Sequence, residues 1–402
     1  MVIGIIGGGA SGMAAALAAA ENEHAQVILF ERQARLGRKL LATGNGRCNL
    51  TNKHVSLAHY HGDQKDFAAP ALQKYDLSST IRWFTSMGLY TVDEPSGRFY
   101  PYSDQANSVV DVLRFALQKT NILVLTGFEV TKVKKTDMGF TVESAEESYI
   151  CDKLIIACGG LAGTKLGGSM SGYKLLMKLG HHCTKLRPTL VQLRSDWPAL
   201  PSLKGVRANC RASIFHDGKM HNASMGELQF TEQGLSGPVI FEISRDVCHE
   251  KGKWVCKLDF LPDLDEEVLL PILQRKRETN LPAEELLTGI LHNRLGRVIV
   301  KEAGISGHAP IRQLEDWELE KLCQTVFGLE VNLTEPMGMD AAQVTAGGIV
   351  TSEFDQNTME SRLVPGLYAC GEVLDIDGEC GGYNLQWAWS SGRCAGHYAG
   401  KE

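Results

Sequence analysis

The first twelve residues carry the feature that most restricts the fold of this chain. A short apolar run, residues 2–6, leads directly into the spacing G-x-G-x-x-G at Gly7, Gly9 and Gly12, and an alanine-rich segment follows. In such a motif the first glycine permits a tight turn, the second lets a diphosphate approach the backbone, and the third lets a helix pack closely on a sheet. The N-terminus of that helix attracts the diphosphate. The segment therefore predicts the strand, turn and helix of a nucleotide-binding fold.

A second apolar run ends in an acidic residue at the distance that this motif requires. Residues 27–30 are apolar, and Glu31 follows them. It lies about 20 residues past Gly12, where a carboxylate can accept hydrogen bonds from both hydroxyls of a ribose. Strand, helix, strand and terminal acid in this order predict a dinucleotide site.

Three later features favour FAD over NAD. An apolar run ends in Ala157-Cys158-Gly159-Gly160, which is similar to a flavoprotein signature with threonine in place of Cys158. Gly371-Glu372 stands where many flavoproteins have Gly-Asp, whose acid receives hydroxyls of the ribityl chain. Residues 381–386 precede a predicted helix over residues 387–399, whose N-terminus would stabilise negative charge at the flavin N1–C2=O edge. Together they predict FAD bound non-covalently.

The residues predicted to bind FAD lie in these motifs, in the glycine-rich loop after Glu31 and near one further strand. They are Gly7, Gly9, Ala10, Ser11, Gly12, Glu31, Arg32, Arg38, Lys39, Asn45, Gly46, Arg47, Cys48, Asn49, Val130, Ala157, Cys158, Gly159, Gly371, Glu372, Gly382, Tyr383, Asn384 and Leu385.

The chain resembles a family of bacterial flavoproteins over nearly its whole length. It is similar to the aminoacetone-oxidase-like or BaiN-like NAD(P)/FAD-dependent oxidoreductases. The most specific part of the resemblance is the loop 37–52, GRKLLATGNGRCNLTN. The other matching segments are residues 97–103, 227–238, 344–348, 366–375 and 381–384. The resemblance implies an FAD domain in two parts with an inserted domain made of a barrel and helices.

Strand and helix patterns along the chain agree with that organisation. The predicted fold class is α/β, with a discontinuous Rossmann-like FAD-binding domain over residues 1–190 and 337–402. The predicted inserted domain spans residues 191–336, β-rich over 191–262 and helical over 263–336. We expect this inserted domain to cap the flavin and to form one wall of the substrate site.

Composition excludes several classes of function. The formal net charge of −6 over 402 residues predicts no bulk attraction to nucleic acid or to an anionic membrane. The 11 cysteines include no C-x-x-C pair, so neither a disulfide framework nor a metal site is predicted. No apolar stretch is long enough to span a bilayer, and the N-terminus lacks the basic region of a signal peptide. These features favour a cytoplasmic enzyme with a small-molecule substrate; they indicate no particular oligomeric state.

Catalytic residues are not evident from the sequence. Cys48 has Lys53, not a second cysteine, five residues further on. A flavin-coupled disulfide is therefore not expected, and a small residue packed beside the ring is the favoured interpretation of Cys48. Arg98, Tyr100 and Tyr102 could bind an anionic substrate, form a wall over the flavin, or form only a structural turn.

The predicted activity is that of an FAD-dependent oxidoreductase acting on a small organic substrate by hydride transfer through flavin N5. One version reduces an activated double bond with NAD(P)H, which would have to bind transiently because the chain has no second G-x-G-x-x-G motif. Another version oxidises an amine and passes the electrons to O₂. A flavoprotein acting on RNA is the remaining alternative.

Overall fold

The computed structural model describes residues 1–401. The chain folds into two compact units. Unit 1 contains residues 1–187 together with the described part of 343–402, and unit 2 contains Pro188–Ala342. None of the described helices is long and apolar enough to cross a membrane.

The strands and helices are numbered in chain order. The strands are β1 (Val2–Ile6), β2 (Gln26–Glu31), β3 (Thr51–Asn52), β4 (Tyr60–His61), β5 (Thr91–Asp93), β6 (Arg98–Pro101), β7 (Ile122–Thr126), β8 (Lys132–Thr136), β9 (Gly139–Glu143), β10 (Ser148–Cys151), β11 (Lys153–Ile156), β12 (Arg187–Thr189), β13 (Leu193–Arg194), β14 (Arg207–His216), β15 (Lys219–Thr231), β16 (Gly234–Ser236), β17 (Trp254–Asp259), β18 (Leu329–Leu333), β19 (Val344–Ala346), β20 (Leu367–Ala369) and β21 (Asp377–Gly378). The helices are α1 (Ala10–Ala19), α2 (Ala69–Lys74), α3 (Leu77–Ser86), α4 (Ala106–Ala116), α5 (Ser171–Lys178), α6 (Leu200–Leu203), α7 (Pro238–His249), α8 (Glu266–Lys276), α9 (Asn293–Glu302), α10 (Asp316–Gly328) and α11 (Tyr383–Ala399).

Unit 1 is built on a five-stranded parallel sheet in the order β20-β11-β1-β2-β7. Apolar residues fill these strands because a parallel sheet is covered on both faces. The carboxyl ends of β1, β2, β11 and β20 lie along one edge of the sheet. That edge is where α/β folds bind their ligands, and each of the four ends leads into a segment that the sequence predicts to bind FAD.

The packing of α1 against α11 depends on residues with little or no side chain. A Cβ atom added to Gly392 would lie 2.4 Å from the carbonyl oxygen of Ser11, and one added to Gly396 would lie 2.1 Å from that of Ala15. Glycine is therefore required for the two backbones to approach so closely. The alanine-rich composition of α1 serves this contact, which fixes the position of α11 within unit 1.

Unit 2 contains a six-stranded sheet in the order β13-β16-β15-β14-β17-β18. The residues after β18 return to the first strand: Thr334 N–H donates to Arg194 O at 2.9 Å, and Arg194 N–H donates to Glu335 O at 2.8 Å. These bonds bring the two edges together, so the sheet forms a nearly closed barrel. The predicted combination of a Rossmann-like fold with a barrel and helices is confirmed.

One local prediction of secondary structure was wrong. Helix α9 begins at Asn293, where His292 caps it by accepting the Arg294 N–H. Strands β5 and β6 form a hairpin between α3 and α4. Helix α11 starts at Tyr383, four residues before the predicted position, directly after Gly382 with φ +100°.

Candidate functional site

The turn between β1 and α1 has the geometry of a diphosphate cradle. Gly7 has φ +112°, and a Cβ there would lie 2.4 Å from the carbonyl oxygen of Ala157. A Cβ on Gly12 would lie 1.8 Å from the carbonyl oxygen of Gly7. At Gly9, the N-cap of α1, an added Cβ would meet no atom within 4 Å. Space is therefore tight where the backbone must pack and open where a diphosphate would approach the helix N-terminus.

Glu31 lies at the end of β2 with both carboxylate oxygens engaged by backbone donors. Oε2 accepts the N–H of Gly8 at 2.7 Å, and Oε1 accepts the N–H of Gln33 at 2.7 Å. A carboxylate oxygen can accept more than one hydrogen bond, so both retain acceptor capacity for ribose hydroxyls. The carboxylate is held rigidly beside the glycine turn, as the ribose assignment requires.

The segment after β11 packs directly on the end of β1. The N–H of Ala157 donates to Ile6 O at 2.9 Å, and the Cys158 thiol donates to the same oxygen at 3.4 Å. Burial raises the pKa of Cys158 to about 12, so this side chain is a neutral thiol that replaces the threonine hydroxyl of the usual signature. Gly159 follows with φ +69°, and the neighbouring Arg32 guanidinium donates to the carbonyl of Gly167.

Gly371 and Glu372 meet both the first helix and the loop after Glu31. A Cβ on Gly371 would lie 2.5 Å from the Ser11 hydroxyl. Glu372 forms an ion pair with Lys39 at 2.9 Å, and its other oxygen accepts the Thr345 N–H at 2.8 Å. The structure thus brings together predicted site residues that lie more than 300 positions apart in the sequence.

The loop 40–50 is shaped by residues in the left-handed region. Asn45, Gly46 and Cys48 have φ values of +57°, +84° and +62°. Cys48 is buried, and this burial raises the pKa of its thiol to about 12. All 11 cysteines are free. Cys48 is therefore a packed neutral thiol without a disulfide partner.

The arginine of this loop has protein partners of its own. Arg47 pairs with Glu94 at 2.7 Å and with Asp104, and its guanidinium lies 3.9 Å from the centre of the Tyr100 ring. The two carboxylates raise the pKa of Arg47, which stays charged. Arg47 therefore orders the loop around Cys48. Binding of FAD by this residue stays a prediction.

Asn49 carries a polar atom that the protein leaves without a partner. Its Oδ1 atom is buried, and no group within residues 1–401 donates a hydrogen bond to it. A Cβ on Gly382 would lie 2.9 Å from this oxygen, which places it beside the N-terminus of α11. Leaving a buried acceptor unpaired costs roughly 1–3 kcal/mol, so the position suits a ligand with a hydrogen-bond donor. An FAD ring system meets that requirement.

The turn that leads into α11 is fixed by Asn384. Its Oδ1 accepts the Gly378 N–H at 2.8 Å, and its Nδ2 donates to Gly378 O at 2.6 Å and to Glu379 O at 3.3 Å. The side chain therefore holds the turn that contains Gly381 and Gly382, both with positive φ. Tyr383 is the first residue of α11, and Leu385 lies in its first turn, half-buried.

The remaining predicted residues lie at the margin of this site. Arg38 is exposed and donates to the Gln33 side chain at 2.8 Å. Val130 is buried in the segment between β7 and β8. Within residues 1–401, no group of three or more His, Cys, Asp or Glu side chains could hold a metal ion.

Sequence reasoning missed three titratable side chains at the same turn. Glu379 contacts His59 at 2.7 Å and His61 at 3.5 Å, and the ring of His59 stacks on Tyr383 with 4.4 Å between centroids. His59 and Glu379 are 320 positions apart, so no local pattern could have joined them. The adjacency of Glu379 to the Gly381-Gly382 motif was the one available signal.

Comparison with known proteins agrees with this site. Residues 1–398 match the family described as HI0933-like protein Rossmann domain. A 3-dehydro-bile acid delta(4,6)-reductase of Clostridium scindens is 37% identical over 99% of this chain and 98% of its own length. A ribosomal RNA dihydrouridine synthase of Escherichia coli is 33% identical over 96% of this chain and 95% of its own length.

A solved structure has the same fold over the full chain. The 3-ketosteroid delta1-dehydrogenase of Sterolibacterium denitrificans aligns with 99% of this chain and 99% of its own, with a TM-score of 0.50 and 13% identity. These matches establish an FAD-dependent oxidoreductase. The chain belongs to the HI0933-like family of Rossmann-fold flavoproteins, as the resemblance in its sequence implied.

Proposed function

We propose that this enzyme reduces a carbon–carbon double bond conjugated to a carbonyl group. The reactions named for its two relatives share this chemistry. A 3-dehydro bile acid with double bonds at C4 and C6 has a 3-carbonyl conjugated with them. Dihydrouridine differs from uridine in the C5=C6 bond, which is conjugated to the C4 carbonyl. One chemical step therefore accounts for both names.

The observation that carries the proposal is the N-terminus of α11 next to the unpaired oxygen of Asn49. Bound FAD supplies a hydride to one carbon of the double bond. The first turn of α11 presents backbone N–H groups and the positive end of the helix dipole, which stabilise negative charge at this position. The unpaired oxygen of Asn49 would accept one hydrogen bond from the bound ring system.

The other predicted site residues would hold the parts of FAD that do not react: the diphosphate, the ribose and the ribityl chain. The open space at Gly9 and the N-terminus of α1 receive the diphosphate, and Glu31 receives the ribose hydroxyls. Glu372, oriented by Lys39 and by the Thr345 N–H, lies where a ribityl chain would pass. We propose these roles for the FAD-binding residues predicted from the sequence.

The proposed reaction does not use the Cys48 thiol as a nucleophile. Burial keeps Cys48 protonated at neutral pH because its pKa is raised to about 12, and a thiol is a poor nucleophile in that form. Reduction of the substrate therefore proceeds by direct hydride transfer. We further propose that a reduced nicotinamide cofactor transfers electrons to the flavin. It would bind only transiently, because the chain has a single G-x-G-x-x-G motif and this motif is assigned to FAD.

A second candidate substrate is uridine in ribosomal RNA. The relatives from Escherichia coli and Haemophilus influenzae, 33% and 30% identical over 96% of this chain, are both named ribosomal RNA dihydrouridine synthases. The expectation of no nucleic-acid partner is therefore not supported. That expectation rested on net charge, which governs bulk attraction and says little about a local contact.

One experiment tests the proposal and separates the two substrates. The holoprotein is reduced anaerobically by light, and a 3-oxo-Δ4,6 steroid acid or an unmodified ribosomal RNA transcript is then added. In a separate arm, the oxidised holoprotein is mixed with a primary amine and O₂. Return of the oxidised flavin absorbance near about 450 nm, with two hydrogens gained by one substrate, is the expected result. If neither the steroid acid nor the RNA is hydrogenated while O₂ and an amine support turnover, the amine oxidase alternative replaces this proposal.

A further inference from the structure

Three titratable side chains meet beside the N-terminus of α11, apart from the residues that hold the cofactor. We name them the His59–Glu379–His61 cluster. Nδ1 of His59 lies 2.7 Å from Oε2 of Glu379, and Nε2 of His61 lies 3.5 Å from Oε1. The side chains of His59, His61 and Glu379 are 31%, 32% and 33% exposed. Each therefore reaches both the protein and the solvent.

The fold holds this cluster against the turn that precedes α11. Strands β4 and β21 pair antiparallel and set Asp377 opposite His61. The ring of His59 stacks on Tyr383, the first residue of α11, with an angle of 16° between the planes. The hydroxyl of Tyr60 donates to the carbonyl oxygen of Tyr383 at 3.0 Å. These contacts fix His59 next to the helix end where the proposed reaction takes place.

The charge state of Glu379 decides how His59 is held. The bond from His61 and the bond from His59 lower the pKa of this carboxyl group, and they outweigh its burial. An ionised carboxylate only accepts hydrogen bonds, so Nδ1 of His59 carries the hydrogen that it donates to Glu379. Within residues 1–401, no group hydrogen-bonds Nε2 of His59. A carboxylate on Nδ1 orients an imidazole so that Nε2 can transfer a proton.

We propose that His59, held by Glu379, is the catalytic acid that completes reduction of the conjugated double bond; this inference rests on the proposed function. The substrate accepts a hydride from the reduced flavin at the carbon β to the carbonyl. The two electrons of the double bond move to the carbonyl oxygen as an enolate. The enolate then takes the proton of Nε2–H at the α carbon. The flavin is left oxidised, and one hydride and one proton have been added across the double bond.

Glu379 is a positioning residue in this account, because it acts through His59. It keeps the ring of His59 in one orientation by accepting the hydrogen of Nδ1. After the transfer, His59 regains a proton from water, to which about a third of its side chain is open. His61, on the second carboxylate oxygen, helps to fix the orientation of Glu379.

The substitution His59→Asn separates this role from a structural one. The introduced amide can still donate a hydrogen bond to Glu379, but it cannot supply a proton. The test uses whichever conjugated substrate the wild-type holoenzyme reduces, with excess dithionite as the electron donor that keeps the flavin reduced during turnover. We expect kcat to fall by about 100-fold or more, the usual contribution of a general acid, while KM stays within about twofold. The affinity of the apoprotein for FAD, measured by flavin fluorescence, should be unchanged.

Deuterium labelling gives a second readout. In D₂O the wild-type enzyme should place deuterium on a single face of the α carbon. The His59→Asn enzyme should give both faces, because water then protonates the enolate without direction. Glu379→Gln should lower kcat by about tenfold and keep the single face, since the acid is present but poorly oriented.

The control is a second histidine–carboxylate pair in unit 1. His182 contacts Glu353 at 2.6 Å and is 79% exposed. His182→Asn should leave kcat, KM and labelling as in the wild type. The inference is overturned if His59→Asn keeps kcat within about threefold and labels one face, or if it loses FAD affinity in proportion to kcat. A wild-type enzyme that reduces no conjugated substrate would instead overturn the proposed function, and this inference with it.

Discussion

Two regions of unit 1 form the candidate site in different ways. The turn at Gly7–Gly12 and the acid at Glu31 come from one continuous stretch of sequence, and their spacing alone predicts their geometry. The turn before α11 is assembled from segments around His59, Asn49 and Glu379. We propose that the first region binds a part of the cofactor that many proteins share. The proposed reaction takes place beside the second region, whose residues follow no common spacing.

The largest expected effect tests the first region. Gly9→Val should abolish FAD loading, because the branched side chain would fill the open space in front of α1 where the diphosphate approaches. We expect the dissociation constant for FAD to rise at least about 100-fold, or about 2.7 kcal/mol. Fluorescence titration of the apoprotein measures it.

The control for this change is Gly226→Val in unit 2, where an added Cβ would make ordinary contact with Val239 at 3.8 Å. It should load FAD as the wild type does. Full flavin content in purified Gly9→Val protein would mean that the turn is not the diphosphate site.

A somewhat smaller effect is expected in the second region. Asn384→Leu removes the hydrogen bonds to Gly378 and Glu379 that hold the turn before α11. Loss of partners for these backbone groups should cost roughly 1–3 kcal/mol and slow flavin reduction by the natural donor. Rapid-mixing absorbance measures the rate, and urea unfolding measures the stability.

Asn384→Asp is the matched variant, because it keeps the acceptor for the Gly378 N–H and loses only the donor. Its effect should fall between wild type and Asn384→Leu. Equal rates in all three proteins would show that the turn keeps its shape without this side chain.

Glu31→Ala should weaken FAD binding less than Gly9→Val does. It removes acceptors for one ribose and for the N–H groups of Gly8 and Gln33, and it adds no obstruction. A rise of about tenfold in the dissociation constant, or about 1.4 kcal/mol, is expected by calorimetry. Glu23→Ala, at an exposed acid before β2, should change nothing. A larger loss than in Gly9→Val would reverse the proposed order of importance.

The smallest effect is expected at Cys48. Cys48→Ser should keep flavin reduction within about tenfold of the wild-type rate, or about 1.4 kcal/mol in barrier, because the buried thiol is neutral and unpaired with another cysteine. Cys323→Ser, at another buried thiol, controls for the cost of a buried hydroxyl. Complete loss of reduction with FAD still bound would point to thiol chemistry.

The difference between the two regions also explains how far the sequence predicts the structure. The sequence predicts the need for glycine at position 12 because the group that a Cβ there would meet, the carbonyl oxygen of Gly7, belongs to the same short motif. The partners of Arg47, Glu94 and Asp104, lie 47 and 57 residues away and follow no sequence pattern. The start of α9 depends on the capping bond of His292, which periodicity does not reveal. His59 and Glu379 meet only through the pairing of β4 with β21.

The most direct test of the central claim is a single-turnover experiment on the wild-type holoenzyme. Light-reduced enzyme is mixed anaerobically with the 3-oxo-Δ4,6 steroid acid or with the unmodified ribosomal RNA transcript, and the product is analysed by mass spectrometry. The account predicts one hydrogenated double bond for each flavin that is reoxidised. Flavin that stays reduced with both substrates, or that reoxidises without any saturated product, would contradict it.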